Sequence, residues 1–202
     1  PNERPAMSKQ VEFFFDVGSP TTYLAYTQLP EIAARTGAEI VWKPMLLGGV
    51  FKATGNQTPA AIPAKAVHMN ADLTRFAARY GVPLAFNPHF PINTLQLMRG
   101  AIAEQQEGRL LPYLKLVFDA MWVHPRNLND PAELTRLLKE GGHDPEAFAG
   151  RLQDEAVKEG LKKNTEEAIR RGAFGAPTFF VGGEMFFGQD RLDFVEEALK
   201  AG

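Results

Sequence analysis

The segment VEFFFDVGSPTT, residues 11–22, decides the fold of this chain. Its first part, residues 11–17, is rich in valine and phenylalanine and is apolar on both faces except at Glu12 and Asp16. A strand with this composition is typical of the centre of a sheet that is covered on both sides. Gly18 interrupts the pattern, so the strand is predicted to end there.

A helix is predicted directly after this strand. Ser19 is a favourable N-cap, Pro20 fits the first helical position, and Gly37 provides a stop after Thr36. Pro30 lies inside the helix and cannot donate its backbone hydrogen bond, so a kink or an early break is expected there. The arrangement places a hydroxyl at a helix N-terminus, where unpaired amides and the helix dipole favour an anion. Capping alone would also explain Ser19.

The remainder of the chain changes its periodicity twice. A second strand is predicted at 38–44, and a loop rich in glycine and proline follows it. Hydrophobic residues then recur at helical spacing, which predicts helices at 63–80, 94–107, 110–123, 131–140 and 154–171. Two short strands, 178–181 and 185–187, flank a Gly-Gly turn, and an amphipathic helix ends the chain. This order predicts an α/β fold with a large helical block inside it.

Composition narrows the possible functions. The chain has 202 residues, 22 Lys plus Arg, 24 Asp plus Glu and a formal net charge of −2, so nucleic acid and anionic membranes are not expected as partners. No apolar stretch approaches the length that spans a bilayer, and a cytoplasmic protein is the default expectation. Cysteine is absent and the four histidines are widely spaced, so neither disulfides nor a metal site are expected. Any sulfur chemistry must therefore use a borrowed thiol.

Two further segments carry candidate site residues. Gly175-Ala176-Pro177-Thr178 brings a proline into a strand after a glycine, and a cis bond before Pro177 would present the Ala176 backbone to a peptide ligand. The base rate of cis bonds before proline, about 5%, favours the trans form when the rest of the sequence is disregarded. Asp190 comes at the start of the last helix, where it can either cap that helix or bind an ammonium group.

Several blocks of sequence together resemble one enzyme family, the 2-hydroxychromene-2-carboxylate isomerases and kappa-class glutathione transferases. The resemblance covers nearly the whole chain from Val11 and keeps the order of the blocks. The matching blocks are FFDVGSP (14–20) with YLA (23–25), PMLLGGVF (44–51), GAPTFFV (175–181) and GQDRL (188–192).

The resemblance implies a thioredoxin-like domain interrupted by an all-helical insertion, in agreement with the order of elements. The first part of the thioredoxin-like domain is expected at 9–52, the insertion at 53–163 and the second part at 164–202. Ser19 matches the family serine that lies close to the sulfur of glutathione, at the place where related oxidoreductases carry a cysteine. Because this chain has Ser-Pro-Thr-Thr there, a dithiol cycle is excluded at this position.

Glutathione is the cofactor that the resemblance implies, and six further residues match its contacts. The match of residues 175–178 implies a cis bond between Ala176 and Pro177, and we predict it on that basis. The Ala176 backbone would then pair with the cysteinyl part, and Gln189 and Asp190 would hold the γ-glutamyl end. The other two matches are Asn56 and Lys65, of which Lys65 would face the glycyl carboxylate.

Two residues of a proline-rich segment, His89 and Asn93, are candidates for contact with substrate. Asn93 can also be explained as an N-cap of the next helix, and His89 as a surface residue.

The function that the resemblance implies is isomerisation of aromatic unsaturated pyruvates, with 2-hydroxychromene-2-carboxylate converted to trans-o-hydroxybenzylidenepyruvate. Glutathione would add to the double bond, allow rotation and leave again. A homodimer that takes a small aromatic substrate is expected. A kappa-type transferase that releases stable conjugates, and a non-catalytic peptide-binding protein on the same scaffold, are the alternatives.

Overall fold

The computed structural model describes residues 9–202. Residues 1–8, which carry no periodicity and no part of the fold prediction, lie outside the described residues. The strands are β1 (Gln10–Phe15), β2 (Glu39–Pro44), β3 (Thr178–Val181) and β4 (Glu184–Phe187). The helices are α1 (Pro20–Thr36), α2 (Leu47–Thr54), α3 (Pro63–Tyr80), α4 (Leu95–Gln106), α5 (Leu110–Trp122), α6 (Pro131–Glu140), α7 (Pro145–Arg151), α8 (Glu155–Arg170) and α9 (Leu192–Ala201).

The four strands form one mixed sheet in the order β2-β1-β3-β4. Strand β1 pairs in parallel with β2 and antiparallel with β3, and β3 and β4 form the predicted hairpin. Successive side chains of β1 pack on opposite faces: Phe13 stacks on Phe179 with ring centroids 5.2 Å apart, and Phe14 meets Phe180 edge-on at 5.5 Å. Since both faces of β1 are buried, the prediction of a central covered strand is confirmed.

Helices α3 to α8 all lie in the chain between β2 and β3, while α1 and α9 pack against each other beside the sheet. The predicted class, an α/β thioredoxin-like fold interrupted by a large all-helical insertion, is therefore confirmed. Within the described residues, no helix is both long and apolar enough to cross a membrane.

Two helices were not expected from the sequence. Helix α2 forms where a glycine-rich loop was predicted, and its N-cap, Leu46, offers no side-chain hydrogen bond. The carboxylate of Asp16 accepts the Leu47 N–H at 2.9 Å and so caps this helix from a distant part of the chain. The short helix α7 begins after the capping residue Asp144. Of the two outcomes expected at Pro30, a kink or an early break, the early break is wrong, because α1 continues through Pro30 to Thr36.

Candidate active site

A cavity of about 680 Å³ lies where the end of β1, the start of α1 and the segment before β3 meet the inserted helix α3. Seven of the residues predicted from sequence line it. These are Ser19, Asn56, Lys65, Asn93, Ala176, Gln189 and Asp190. Pro177 is buried behind Ala176, and His89 is exposed outside the lining. The cavity thus brings together residues from both halves of the thioredoxin-like domain and from the insertion.

Ser19 is the N-cap of α1 and is only 7% exposed. Its Oγ accepts the Thr22 N–H at 3.1 Å and lies 2.9 Å from the Thr21 Oγ1. Pro20 has no N–H, and within residues 9–202 no acceptor pairs with the Thr21 N–H. The wall of the cavity at this point therefore presents a hydroxyl and an unpaired amide at the positive end of a 17-residue helix.

The backbone that carries Ser19 is fixed from several sides. The Gly18 N–H donates to the Asp16 Oδ1 at 2.9 Å, and the buried Trp122 indole donates to the Val17 carbonyl at 2.8 Å. Gly18 packs so closely on Thr94 that a Cβ there would lie 2.8 Å from the Thr94 Cγ2. A side chain at this position would have to displace a neighbour, so the glycine is required by close packing.

Asp16 is the functional candidate that the sequence did not reveal. It lines the cavity, is 1% exposed, and accepts hydrogen bonds from the Gly18 and Leu47 amides and from the Thr94 hydroxyl. Burial raises the pKa of this carboxyl, and the three hydrogen bonds partly oppose that rise. The signal in the sequence was an acidic residue at the end of a mostly apolar segment, but two of its partners, Leu47 and Thr94, lie on elements that only the fold brings close.

The segment opposite Ser19 is built around Ala176. The Ala176–Pro177 bond is cis, which confirms the prediction, and a second cis bond, Phe90–Pro91, was not predicted. The Ala176 carbonyl accepts the Thr21 hydroxyl at 3.2 Å, while the Ala176 N–H has no partner among the described residues. Asn56 supports this segment by donating from its Nδ2 to the Phe174 carbonyl at 2.7 Å.

A third part of the cavity combines an amide and a carboxylate. The Tyr80 hydroxyl donates to the Gln189 Oε1 at 2.7 Å, which engages the amide oxygen and leaves the amide NH₂ for a ligand. Asp190 pairs with Arg191 at 3.1 Å and makes no capping hydrogen bond, because α9 starts at Leu192 with Arg191 as its N-cap. The capping explanation of Asp190 is therefore wrong, since α9 begins one residue later than an N-cap at Asp190 requires.

Asn93 does take the capping role that was the alternative for it. Its Oδ1 accepts the Leu95 N–H at 3.1 Å, although Thr94 is the N-cap by position. Lys65 is exposed on the first turn of α3 and faces the cavity from the insertion. Among residues 9–202 no cluster of histidine and acidic side chains is arranged to hold a metal ion.

Comparisons with known proteins identify the family of this chain. Residues 10–200 match the family model of the DSBA-like thioredoxin domain. The chain belongs to the DSBA-like thioredoxin family. It is 33% identical to a 2-hydroxychromene-2-carboxylate isomerase of Sphingobium xenophagum, over 96% of this chain and 99% of that protein. It is 28% identical to glutathione S-transferase kappa 1 of Caenorhabditis elegans, over 95% and 91% of the two chains.

A solved structure of a 2-hydroxychromene-2-carboxylate isomerase has the same overall fold as this chain. A selenomethionine 2-hydroxychromene-2-carboxylate isomerase superposes with a TM-score of 0.84 at 31% identity, and 95% of each chain is covered. This DSBA-like protein is thus an enzyme of the 2-hydroxychromene-2-carboxylate isomerase-like group. Ser19, Pro20, Thr21 and Thr22 occupy its helix start, so the thiol–disulfide exchange that a dithiol allows cannot take place at this position.

Proposed function

We propose that this protein is a glutathione-dependent cis–trans isomerase of aromatic unsaturated pyruvates, with 2-hydroxychromene-2-carboxylate as the leading substrate. The proposal rests on the start of α1, where the Ser19 hydroxyl, the unpaired Thr21 amide and the Ala176 backbone lie side by side in the cavity lining. Bound glutathione would supply a thiolate, the nucleophile that a chain without cysteine lacks.

The residues present fit a γ-glutamyl tripeptide. The backbone N–H and carbonyl of Ala176 can pair with the cysteinyl unit in the manner of an added strand. Gln189 offers its amide NH₂ to the α-carboxylate of the γ-glutamyl end, and Asp190 offers a negative charge to the neighbouring ammonium group. Lys65 also lines the cavity and would receive the glycyl carboxylate.

Ser19 and the helix start would act on the charge of the sulfur. A hydroxyl donor, an amide donor and the positive end of α1 all stabilise an anion relative to its protonated form, so they would lower the pKa of a thiol placed there. The apolar side of the cavity, formed by Phe51, Met69, Leu73, Phe90 and Ile92, would hold an aromatic ring and exclude water.

The test is a titration of the purified protein with glutathione, followed by the ultraviolet absorbance of the thiolate. We expect a thiolate signal at neutral pH and catalytic isomerisation of 2-hydroxychromene-2-carboxylate without loss of glutathione. Ser19→Ala should raise the pKa of the bound thiol by about one to two units, because a hydrogen bond to an ionised group is worth roughly 1.5–3 kcal/mol. Binding without a thiolate signal would contradict the proposal.

A kappa-type transferase is the second candidate, favoured by the 28% identity to glutathione S-transferase kappa 1. It would use the same thiolate but release a stable conjugate. The two activities differ in stoichiometry, because a transferase consumes one glutathione for each product and an isomerase consumes none. Measuring free thiol before and after complete turnover of the substrate decides between them.

A further inference from the structure

Three oxygen atoms form a short row at the start of α1. The Ser19 Oγ lies 2.9 Å from the Thr21 Oγ1, which lies 3.2 Å from the Ala176 carbonyl oxygen. All three residues line the cavity, although Thr21 and Ala176 are 155 positions apart in the chain. Thr21 therefore links Ser19, which would contact the sulfur of glutathione, to the Ala176 backbone, which would pair with the cysteinyl unit.

The number of available protons fixes the direction of these hydrogen bonds. A carbonyl can only accept, so the Thr21 hydroxyl must donate to the Ala176 oxygen. Each hydroxyl has one proton, so the bond between the two hydroxyls must then be donated by Ser19. In this arrangement the only proton of Ser19 points at Thr21 and is not available to a ligand.

Donation from Ser19 to a sulfur anion requires this row to reverse. If Ser19 turned its proton toward the cavity while Thr21 kept its own on Ala176, two lone pairs would face each other at 2.9 Å. When Thr21 turns and donates to Ser19 instead, Ser19 accepts from Thr21 and from the Thr22 N–H and donates to the ligand. That arrangement uses the full hydrogen-bonding capacity of a hydroxyl.

We propose that Thr21 is a positioning residue whose hydroxyl reverses on ligand binding and so directs the proton of Ser19 onto the sulfur of glutathione. No proton changes its owner in this rearrangement, since both hydroxyls only rotate. The reversal also releases the Ala176 carbonyl to accept an N–H from the ligand. Engagement of the peptide backbone and stabilisation of the thiolate are thereby coupled, and this inference rests on the proposed function.

The experiment compares the thiol pKa of bound glutathione, measured from thiolate absorbance, in the parent protein and in Ser19→Ala, Thr21→Val, Thr21→Ser and the double variant Ser19→Ala/Thr21→Val. Valine keeps the shape of threonine without its hydroxyl. Thr36→Val, at the far end of the same helix, is the matched control, because its hydroxyl bonds only to the Ile32 and Ala33 carbonyls. Circular dichroism checks folding, and Thr21→Ala replaces Thr21→Val if the latter fails to fold.

We expect Thr21→Val to raise the thiol pKa by about half a unit, because loss of the second hydroxyl weakens the first by a fraction of its strength. Thr21→Ser and Thr36→Val should match the parent. The double variant should have the same thiol pKa as Ser19→Ala, since Thr21 affects the charge of the sulfur only through Ser19. The proposed role of Thr21 would be overturned if Thr21→Val had the parental thiol pKa, or if the effects of the two single substitutions added in the double variant. Either result would leave the proposed function standing. Absence of a bound thiolate in the parent would overturn both.

Discussion

At the scale of single residues, Asp16 combines burial with three hydrogen bonds from neutral donors, and burial raises its pKa above the ordinary value of 3.8. The folded state therefore binds this proton more tightly than the unfolded state does. The contribution of Asp16 to the free energy of unfolding is full below pH 3.8 and is lost as pH rises through the folded-state pKa. Raising the pH above 3.8 therefore lowers the contribution of Asp16 to the free energy of unfolding.

The variant Asp16→Asn should remove this pH dependence, because an amide does not titrate. Urea unfolding at a series of pH values should show a decline above pH 3.8 in the parent that is smaller in the variant. The control is Asp193→Asn, an exposed carboxyl on α9, which should keep the parental decline. An unchanged decline in Asp16→Asn would assign the pH dependence to other groups.

Asp190 offers a second test, because it makes few interactions within the protein itself. It forms one ion pair with the adjacent Arg191, and exposed pairs of this kind are worth about 0.2–1 kcal/mol. Asp190→Ala should therefore change the free energy of unfolding by less than about 1 kcal/mol. Glutathione affinity should fall by roughly 10- to 100-fold, because a charge-assisted hydrogen bond to the ligand ammonium is lost.

Calorimetric titration of glutathione measures this effect, with Asp193→Ala as the matched control. The control removes a carboxylate three residues further along the same segment. Equal loss of affinity in both variants would show that Asp190 contributes only general negative charge, and parental affinity in Asp190→Ala would show no contact at all.

At the scale of elements, helix α3 of the insertion contacts the residue proposed to bind the γ-glutamyl end, Gln189. Its last residue, Tyr80, donates to the Gln189 Oε1 and so fixes which end of that amide faces a ligand. Tyr80→Phe should weaken glutathione binding by about 5- to 10-fold, as expected for one hydrogen bond. The pKa of the bound thiol should not change, because Ser19 is untouched.

Isothermal calorimetry and the thiolate titration together separate these two effects. Tyr26→Phe is the control, since Tyr26 lies on α1 outside the cavity and packs on Phe118 and Trp42. A changed thiol pKa in Tyr80→Phe would show that the substitution disturbs the start of α1, in conflict with a local role for Tyr80.

The elements themselves were predictable where local signals agree. Helix α3 has the predicted bounds, because a proline occupies its first position and Gly81 its left-handed stop at φ 65°. Helix α2 was not predicted, because its start depends on a carboxylate 31 positions away and not on a local cap. The same limit applies to the site. Ser19 and Asp190 stand in recognisable motifs, whereas Thr21 and Tyr80 act on partners 155 and 109 positions distant.

At the scale of the whole molecule, the thioredoxin-like part and helix α3 both contribute residues to the wall of the cavity. Ser19, Ala176 and Gln189 come from the thioredoxin-like part, while Lys65 and Tyr80 come from α3 of the helical insertion. A ligand that spans the cavity touches both units at once. Binding should therefore stabilise the native state as a whole, by the free energy that follows from its affinity and concentration.

Glutathione at 100 times its dissociation constant should add about 2.7 kcal/mol to the free energy of unfolding. For a chain of this length that corresponds to a rise in Tm of roughly 5–10 °C.

Lys65→Ala should reduce this rise in Tm at the same glutathione concentration, because the ion pair between Lys65 and the glycyl carboxylate is lost. The Tm measured without glutathione should stay within about 1–2 °C of the parent value. Differential scanning calorimetry with and without glutathione measures both quantities. Lys162→Ala, on the exposed side of α8 away from the cavity, controls for the loss of one positive charge. If Lys65→Ala kept the full rise, Lys65 would make no contribution to glutathione binding, and the glycyl carboxylate would have no ionic partner on α3.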